Sequence, residues 1–203
     1  MPTSLIVIDD FLGAGDAEQL RAAALRMTYP DQRGAFPGRN SLQRLELDGL
    51  EQVASRVTGE RLRPISPLES HGKFRITLAG DSGRAGVHID RGAHWSGILY
   101  LSRPGDCRGG TEFFRHLPTG SDRAPVSHEE IAAMGFGSPE ETYREIIEKD
   151  SLDRSKWEMT MRVPMRFNRL VLLRPWLWHT AGEAFGDRIE NGRLVYLMFF
   201  AAA

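Results

Sequence analysis

The sequence predicts a mainly β fold with flanking helices, either an antiparallel sandwich or a jelly roll with its helices packed outside. Short apolar segments follow one another from residue 70 onward, separated by turns that contain glycine, proline or asparagine. No helical pattern interrupts these strands before residue 127. The 203 residues suit a single domain with a substantial core, and the 21 glycines and 11 prolines supply many turns.

The N-terminal part, about residues 1–65, is predicted to be helical after one initial strand. SLIVIDDFL at 4–12 predicts the strand. GDAEQLRAAALRM at 15–27 predicts a helix with Asp16 as its N-cap and Gln19 placed to close a capping box.

A loop and a second helix complete this part. Residues 28–44 are rich in glycine, proline, arginine and asparagine, which predicts a loop. LDGLEQVASRVTG at 47–59 predicts an amphipathic helix whose apolar stripe contains Leu50, Val53 and Val57.

The jelly-roll core is expected over about residues 66–203. In GKFRITLAG, Phe74 and Ile76 alternate with Lys73 and Arg75, so the first pair is predicted to be core and the second to face a pocket. The other predicted strands are GVHID at 86–90, SGILYLS at 96–102, GGTEFF at 109–114, NRLVLLRP at 168–175 and RLVYLMFF at 193–200.

A polar, partly helical insertion is predicted at about 115–160. Ser127 and Glu130 form a capping box in SHEEIAAM, and Ser138 and Glu141 form another in SPEETYREIIEKD. Such an excursion from a barrel rim is typical either of a lid or substrate-binding element or of a surface decoration. The sequence leaves both interpretations open.

Composition and charge argue against several classes of partner. The 26 Lys and Arg residues balance 27 acidic residues, giving a net charge of −1, so neither a nucleic acid nor a membrane is expected as a partner. The sequence contains no stretch of membrane-spanning length and no signal-peptide pattern. Cys107 is the single cysteine and cannot form an internal disulfide, so a cytoplasmic location is expected. The expected partner is a small-molecule, peptide or protein substrate, and the oligomeric state is not predicted.

The segment GVHID places His88 and Asp90 on the same side of an extended chain, with Val87 and Ile89 pointing the other way. An imidazole and a carboxylate that face a protein interior are costly unless something charged lies between them. A metal ion meets that requirement. A solvent-facing sheet edge also meets it.

Among the six histidines, His179 is the best candidate for a second imidazole. It closes the apolar run NRLVLLRPWLWH, and a closed β fold can bring residues so distant in sequence together. His94 follows a turn after the GVHID segment and is a candidate on the substrate side. The other histidines are expected to be solvated (His116 and His128, in the insertion) or structural (His71).

Two imidazoles and one carboxylate that leave other positions free form the arrangement used by non-haem Fe(II) oxygenases. The H-x-D string alone is a weak signal, but Arg193 strengthens it. Arg193 begins an apolar strand, on the same face as Val195 and Leu197. A lone arginine in an inward row needs an anionic partner, and its planar fork suits a carboxylate. The alternative is an arginine at the wet end of the strand, paired with a surface acid.

The order of these segments resembles the Fe(II)/2-oxoglutarate-dependent oxygenases, specifically the prolyl-4-hydroxylase-like branch. The matching segments are VIDDFL, VHID, ILYLSRPGDCRGGTEFF and NRLVLLRPWLWHTA, followed by Arg193. The resemblance is loose over residues 5–25, good over 70–115 and 165–200, and does not cover the insertion. It implies a double-stranded β-helix, the jelly-roll core of that family.

The resemblance also implies a cofactor set and a reaction. His88, Asp90 and His179 would ligate Fe(II), and Arg193 would bind 2-oxoglutarate, with O2 as the other co-substrate. The implied activity is that of a dioxygenase that hydroxylates a C–H bond of a peptide, amino acid or small metabolite and releases succinate and CO2. In related halogenases a small residue replaces the carboxylate, so Asp90 argues against halogenation.

Further residues are candidates for the pocket. Tyr100 is a candidate hydroxyl donor to 2-oxoglutarate, and Thr111 lies in the Gly-Gly strand that walls the family's pocket. Arg75 departs from the prolyl hydroxylase pattern and is a candidate for binding substrate or competing with Arg193, which argues against a prolyl-peptide substrate. Trp178 flanks the iron-side turn, where packing in the core or at the rim is the alternative to substrate contact.

Two other hypotheses stay open at this point. A cupin-like metalloprotein, whether another metal-dependent enzyme or a small-molecule binding module, has the same architecture. Asp90 stands where cupins usually carry histidine, and a cupin would have no need for Arg193. A non-catalytic interaction domain on the oxygenase scaffold would be expected to have lost at least one residue of the set.

Overall fold

The computed structural model describes residues 3–32, 34–65 and 70–203. The strands are β1 (Leu5–Ile8), β2 (Arg39–Asn40), β3 (Leu62–Pro64), β4 (Lys73–Thr77), β5 (Trp95–Tyr100), β6 (Gly110–His116), β7 (Trp157–Pro164), β8 (Leu170–Leu173), β9 (His179–Thr180) and β10 (Arg193–Ala202). The helices are α1 (Ala14–Leu25), α2 (Leu50–Thr58), α3 (His128–Ala133) and α4 (Pro139–Thr142), with a π-helical turn (Tyr143–Glu148) and a 3-10 turn (Arg154–Lys156).

Two antiparallel sheets form the body of the protein. Within the described residues the larger sheet has seven strands in the order β1-β8-β5-β10-β4-β2, with β3 also paired to β10. The smaller sheet has three strands in the order β7-β6-β9. The last strand therefore lies in the middle of the larger sheet, between β5 and β4. The predicted mainly β fold with flanking helices is confirmed.

The two faces of the larger sheet carry separate apolar clusters. On the outer face, Leu20 of α1 and Leu50 of α2 join a cluster with Phe74 and Ile76 of β4, both fully buried as predicted. On the inner face, the two sheets share a second cluster that includes Tyr100 of β5 and Phe113 of β6. None of the described helices is long and apolar enough to cross a bilayer.

The predicted strand at 86–90 is wrong, because only His88 forms a β-bridge there, with His179. The backbone amides of this segment donate to the carbonyls of Ser151, in the insertion, and of Pro175 and His179, at the two ends of the turn before β9. Among the described strands, the segment therefore touches only β9, and through a single bridge. We call residues 86–91 the histidine loop.

The start of α1 also differs from the prediction. Gly13 occupies the N-cap position and has no side chain to cap the helix, so the predicted capping box of Asp16 and Gln19 is wrong. The helix begins earlier because the Ala17 N–H already donates to the Gly13 carbonyl, at 2.9 Å. Asp16 lies in the first turn, where a negative charge favours the helix N-terminus.

The region after α1 matches the prediction in outline. The predicted loop at 28–44 contains the two-residue strand β2. In α2 the fully buried positions are Leu50 and Ala54, while Val53 and Val57 are half-buried. The predicted boundary of the jelly-roll core, at residue 66, lies outside the described residues.

The insertion is shorter than predicted because β7 pairs with β6 along its whole length. Most side chains of β7 are exposed, so no alternation of apolar and polar residues marked it as a strand. Both predicted N-caps are confirmed. The hydroxyls of Ser127 and Ser138 accept hydrogen bonds from the backbone N–H groups of Glu130 and Glu141.

Asn168 ties the chain before α1 to the start of β8. It adopts a left-handed conformation with φ of 61°. Its Nδ2 donates to the Leu12 carbonyl at 2.7 Å, and its Oδ1 accepts from the Leu12 N–H at 3.0 Å. We expect Asn168→Ala to lower the free energy of unfolding by about 3 kcal/mol, because two hydrogen bonds are lost and alanine disfavours this conformation. Chemical denaturation measures the change.

Asn168→Gly is the matched control for this prediction. Glycine loses the same two hydrogen bonds but tolerates positive φ, so its destabilisation should be smaller. Equal losses in both variants would show that backbone conformation contributes nothing at this position.

Candidate metal centre

Three side chains that are distant in sequence converge at one end of the smaller sheet. His88, Asp90 and His179 each offer one ligand atom, and these atoms all lie within 4.8 Å of one another. The Asp90 carboxylate faces both imidazoles: its Oδ1 is 3.9 Å from His88 Nε2, and its Oδ2 is 3.5 Å from His179 Nε2. All three of the residues predicted as metal ligands are therefore close enough to share one ion.

Backbone hydrogen bonds set this arrangement. The His88 N–H donates to the His179 carbonyl at 3.0 Å, and the His179 N–H donates back at 3.1 Å. In such an antiparallel pair the two side chains project from the same side. The Asp90 N–H donates to the Pro175 carbonyl at 3.0 Å, which fixes the third side chain relative to the turn before β9.

Each imidazole is oriented by a carbonyl two residues earlier in the chain. His88 Nδ1 lies 2.9 Å from the Gly86 oxygen, and His179 Nδ1 lies 2.8 Å from the Leu177 oxygen. A carbonyl can only accept, so both Nδ1 atoms carry a proton. In the neutral rings the Nε2 lone pairs are then free, which is the tautomer a metal ligand requires.

The charges of the three groups are coupled. Burial and the nearby His179 lower the pKa of His88 to about 4. Burial would raise the pKa of Asp90, but the charge and hydrogen bonding of His179 outweigh it and bring the pKa to about 2. Burial opposes the charged form of His179 as well, yet Asp90 raises the pKa of this imidazole overall. The site is therefore an anionic carboxylate with one neutral imidazole and one that readily takes up a proton.

Arg193 lies on the inner face of the larger sheet and is only 2% exposed. Within the part of the chain that the structure describes, its guanidinium makes no hydrogen bond or ion pair, and its Nε is buried without a partner. Its nearest aromatic neighbour is Tyr100, whose ring centre is 6.0 Å from the guanidinium carbon. Burial lowers the pKa of Arg193. A buried cation without a counter-ion is costly, so this position is suited to an anionic ligand.

Thr77 lies on the same row of β4 as Lys73 and Arg75, the row predicted to face a pocket, but it was given no role of its own. Thr77 is the cross-strand partner of Arg193, and its Oγ1 is buried without a hydrogen bond among the described residues. Two unsatisfied polar side chains thus lie side by side on the inner face. The alternation of β4 could have indicated Thr77, but only the sheet register pairs it with Arg193.

Tyr100 and Thr111 are bonded to each other across the inner cluster. The Thr111 N–H donates to the Tyr100 oxygen at 2.9 Å, and the two hydroxyl oxygens are 2.6 Å apart. Both residues are fully buried. The direct contact predicted between Tyr100 and 2-oxoglutarate stays a prediction.

Arg75 also faces inward, but its donors are engaged. Its Nε donates to the Pro37 carbonyl at 3.0 Å, its Nη1 to Asn40 Oδ1 at 2.6 Å, and its Nη2 to the Phe36 carbonyl at 2.8 Å. Desolvation lowers the pKa of Arg75 to about 10, with a smaller effect of Arg193. The two arginines therefore differ: Arg75 binds the loop around residues 36–40, while Arg193 has no described partner.

Phe36, which sequence reasoning missed, lies against the candidate centre. Its ring centre is 4.1 Å from that of His88. The loop that carries it is rich in glycine and proline and has no periodicity, so no sequence signal could have indicated the contact. Phe36 covers one side of His88, and Arg75 holds the carbonyl of the same residue.

The remaining candidates lie in structural networks. His94 Nε2 is 2.6 Å from Glu60 Oε2, and Arg174 is paired with the same carboxylate. Trp178 is 1% exposed and packs edge-on against Trp157, with its Nε1 unpartnered among the described residues. Their predicted contacts with substrate stay predictions.

The expectation that His116 is solvated is wrong. It is 2% exposed and its Nε2 is 3.0 Å from the Asp150 carboxylate. The polar sequence around it concealed a buried pair, because its partner lies far along the insertion. His128 is exposed as expected, and His71 has the expected structural role, since its Nδ1 accepts from the Phe199 N–H at 2.9 Å.

We expect Arg75→Met to release the loop that carries Phe36. The ring protons of His88 should then shift in NMR spectra, as they should in Phe36→Leu, because the aromatic ring leaves the imidazole. Loss of the hydrogen bonds should also lower the free energy of unfolding by about 1–3 kcal/mol. Arg63→Met, on exposed β3, is the control. Unchanged His88 signals in Arg75→Met would contradict the claim that Arg75 holds Phe36 against His88.

Comparison with solved structures finds the same jelly-roll fold in several other proteins. HygX from Streptomyces hygroscopicus, solved with nickel, 2-oxoglutarate and hygromycin B bound, is 17% identical, with a TM-score of 0.53 over 99% of this chain and 84% of that chain. The non-heme alpha ketoglutarate dependent carbocyclase SnoK from nogalamycin biosynthesis is 15% identical, with a TM-score of 0.55 over 100% of this chain and 89% of that chain. The epimerase SnoN from nogalamycin biosynthesis is 15% identical, with a TM-score of 0.54 over 98% and 77%.

At these identities the likeness establishes the fold alone. No curated protein sequence matches the chain. A family model does match, over residues 2–200, and its description is "Family of unknown function (DUF6445)". Because that match spans nearly the whole sequence, the chain belongs to the DUF6445 family.

Proposed function

We propose that the protein is a non-haem Fe(II)- and 2-oxoglutarate-dependent dioxygenase. The observation that carries this proposal is the pairing of two features in one fold: a converged set of two imidazoles and a carboxylate, and a buried arginine without a described anionic partner. The similar folds of HygX, solved with 2-oxoglutarate, and of the alpha ketoglutarate dependent SnoK support it.

The residues of the centre suit a divalent metal. His88 and His179 present Nε2 toward the ionised Asp90, and both rings are held by backbone carbonyls. Such outer hydrogen bonds fix the ring orientation and raise the basicity of a ligating imidazole. Two neutral nitrogens and one anion leave a net positive charge on Fe(II) and leave room for further ligands.

Arg193 would hold the far carboxylate of 2-oxoglutarate. A guanidinium binds a carboxylate through two parallel hydrogen bonds, and the unpartnered Thr77 hydroxyl beside it can donate another. Arg75 is the less suitable cation because its donors are already bound to the loop at 36–40. Tyr100 and Thr111 would form the wall beneath the co-substrate.

The bound iron and 2-oxoglutarate would supply oxidation of a substrate C–H bond by O2, coupled to release of succinate and CO2. The protein's own part is orientation and exclusion of water: Phe36 covers His88, and Phe113 lies with its ring centre 6.4 Å from that of His179. Hydroxylation of a small molecule is the outcome we favour. HygX was solved with hygromycin B, which supports a small molecule over a peptide.

The first experiment is an anaerobic titration with Fe(II) and then 2-oxoglutarate. We expect a weak visible charge-transfer band in the wild type and none in His179→Ala. In Arg193→Met the metal should still bind, while 2-oxoglutarate affinity falls at least about 30-fold, since losing one partner of a buried charge pair costs about 2 kcal/mol or more. Thr77→Val should lose about fivefold, the value of one neutral hydrogen bond.

Arg103→Met is the matched control, because Arg103 pairs with Glu18 at the surface and its loss should leave both affinities unchanged. A band that survives Arg193→Met at full 2-oxoglutarate affinity would contradict the role of this arginine. A folded wild type that binds metal but forms no band would favour a cupin-like metalloprotein instead.

The pH dependence of metal binding provides a second test. Asp90 raises the pKa of His179, so this imidazole holds a proton that must leave before Nε2 can bind a metal. Affinity for Co(II) should therefore decrease as the pH falls below the pKa of His179, approaching about tenfold per pH unit. His88, with its pKa of about 4, is already neutral in this range. At a pH below the pKa of His179, calorimetric titration should detect about one proton released per metal bound. Equal affinities at about pH 8 and about pH 6 would rule out this competition.

A further inference from the structure

We propose that the insertion between β6 and β7 supports the histidine loop and holds it in place. Within the insertion, Ser151 is a positioning residue for His88. This inference rests on the proposed function, since it assigns a purpose in metal binding. The sequence left the insertion as either a lid or a surface decoration, and its contacts favour a third role.

Ser151 makes three hydrogen bonds to the histidine loop. The Gly86 N–H donates to Ser151 Oγ at 2.8 Å, and that hydroxyl donates to the Val87 carbonyl at 2.8 Å. The Val87 N–H donates to the Ser151 carbonyl at 3.1 Å. Ser151 is 4% exposed, so these bonds are shielded from water. His88, the next residue of the loop, is bonded through its backbone to His179.

The bond to Gly86 leads directly to the candidate ligand. The amide of Gly86 is held by Ser151, and its carbonyl receives the Nδ1 proton of His88. The insertion approaches so closely that a Cβ at Gly86 would lie 2.6 Å from the backbone carbonyl oxygen of Ser151. Only glycine fits there without a shift of the backbone. Ser151 therefore holds Gly86 in place, and the Gly86 carbonyl orients the imidazole of His88.

Apolar packing acts on the same loop. Val87 is fully buried in a cluster with Ile146 and Ile147 of the insertion, and Ile89 lies at the edge of this cluster. The two isoleucines are adjacent, and both are buried in a π-helical turn, a geometry that often occurs at functional sites. The Arg91 guanidinium lies 4.9 Å from the centre of the Tyr143 ring.

Alternate residues of the loop therefore face different partners. Val87 and Arg91 contact the insertion and Ile89 packs against the same apolar cluster as Val87. His88 and Asp90 face the candidate metal centre instead. A segment joined to a sheet by one β-bridge lacks the further ladder hydrogen bonds of a strand, and the insertion supplies additional support.

The insertion is itself anchored to the smaller sheet beside Ser151. Asp150 is bonded through its carboxylate to His116 of β6 at 3.0 Å and through its carbonyl to Trp157 of β7 at 2.8 Å. Since β6 also pairs with β9, which carries His179, both histidines are positioned from the same sheet. The spacing of the two imidazoles thus follows from one rigid unit.

Ser151→Ala tests the inference, because it removes the hydroxyl and keeps the backbone carbonyl. We expect Co(II) affinity to fall about tenfold, as for other residues that orient metal ligands. In the metal-free protein, amide exchange at Gly86 should become about fivefold faster, since it loses its acceptor. Ser151→Thr should restore both values.

Ser155→Ala is the matched control, because among the described residues its hydroxyl bonds to Asp153 alone, within the insertion. It should change neither the Co(II) affinity nor the exchange rate at Gly86. If the wild type binds Co(II) and Ser151→Ala binds it equally well, the positioning role is overturned and the proposed function stands. If the folded wild type binds no Co(II), the proposed function fails and the positioning role fails with it.

Discussion

The reciprocal hydrogen bonds between the backbones of His88 and His179 are the constraint on which the candidate centre depends. They are the single β-bridge between the histidine loop and a two-residue strand of the smaller sheet, so two short elements stabilise each other. Each imidazole then takes its orientation from its own chain, through the carbonyl two residues earlier. Asp90 joins the pair because its amide is bonded to the turn before β9.

The buried charged side chains near the candidate centre are stabilised in different ways. Asp90 is balanced by His179, whose proton a metal would replace without leaving the carboxylate uncompensated. Arg75 donates to backbone carbonyls, which do not titrate, so a change of pH does not remove its hydrogen bonds to them. Arg193 and Thr77 stand apart, since no described residue satisfies them. The proposed dianionic co-substrate would supply Arg193 with the counter-ion that the described residues lack.

Sequence reasoning found what depends on alternation and missed what depends on tertiary contacts. The inward rows of β4 and β10 follow from a period of two, so Phe74, Ile76 and the inward Arg193 were predictable. The same alternation placed His88 and Asp90 correctly on one side, although the strand itself was wrong. Strand β7 and the buried His116 were missed because an exposed edge strand and a polar neighbourhood carry no apolar pattern. The roles of Phe36 and Ser151 depend on contacts between distant segments, which no local pattern encodes.

The central position of β10 in the larger sheet has a consequence for how the protein matures. Strands β4 and β5 pair with β10 on its two sides, so neither has its full set of neighbours until the chain from residue 193 onward has left the ribosome. The histidines belong to distant parts of the chain as well, and closing such long loops is slow and entropically unfavourable. During synthesis the three side chains of the candidate centre are therefore separate until the sheet is complete. If the centre binds a metal as proposed, loading would follow completion of the sheet.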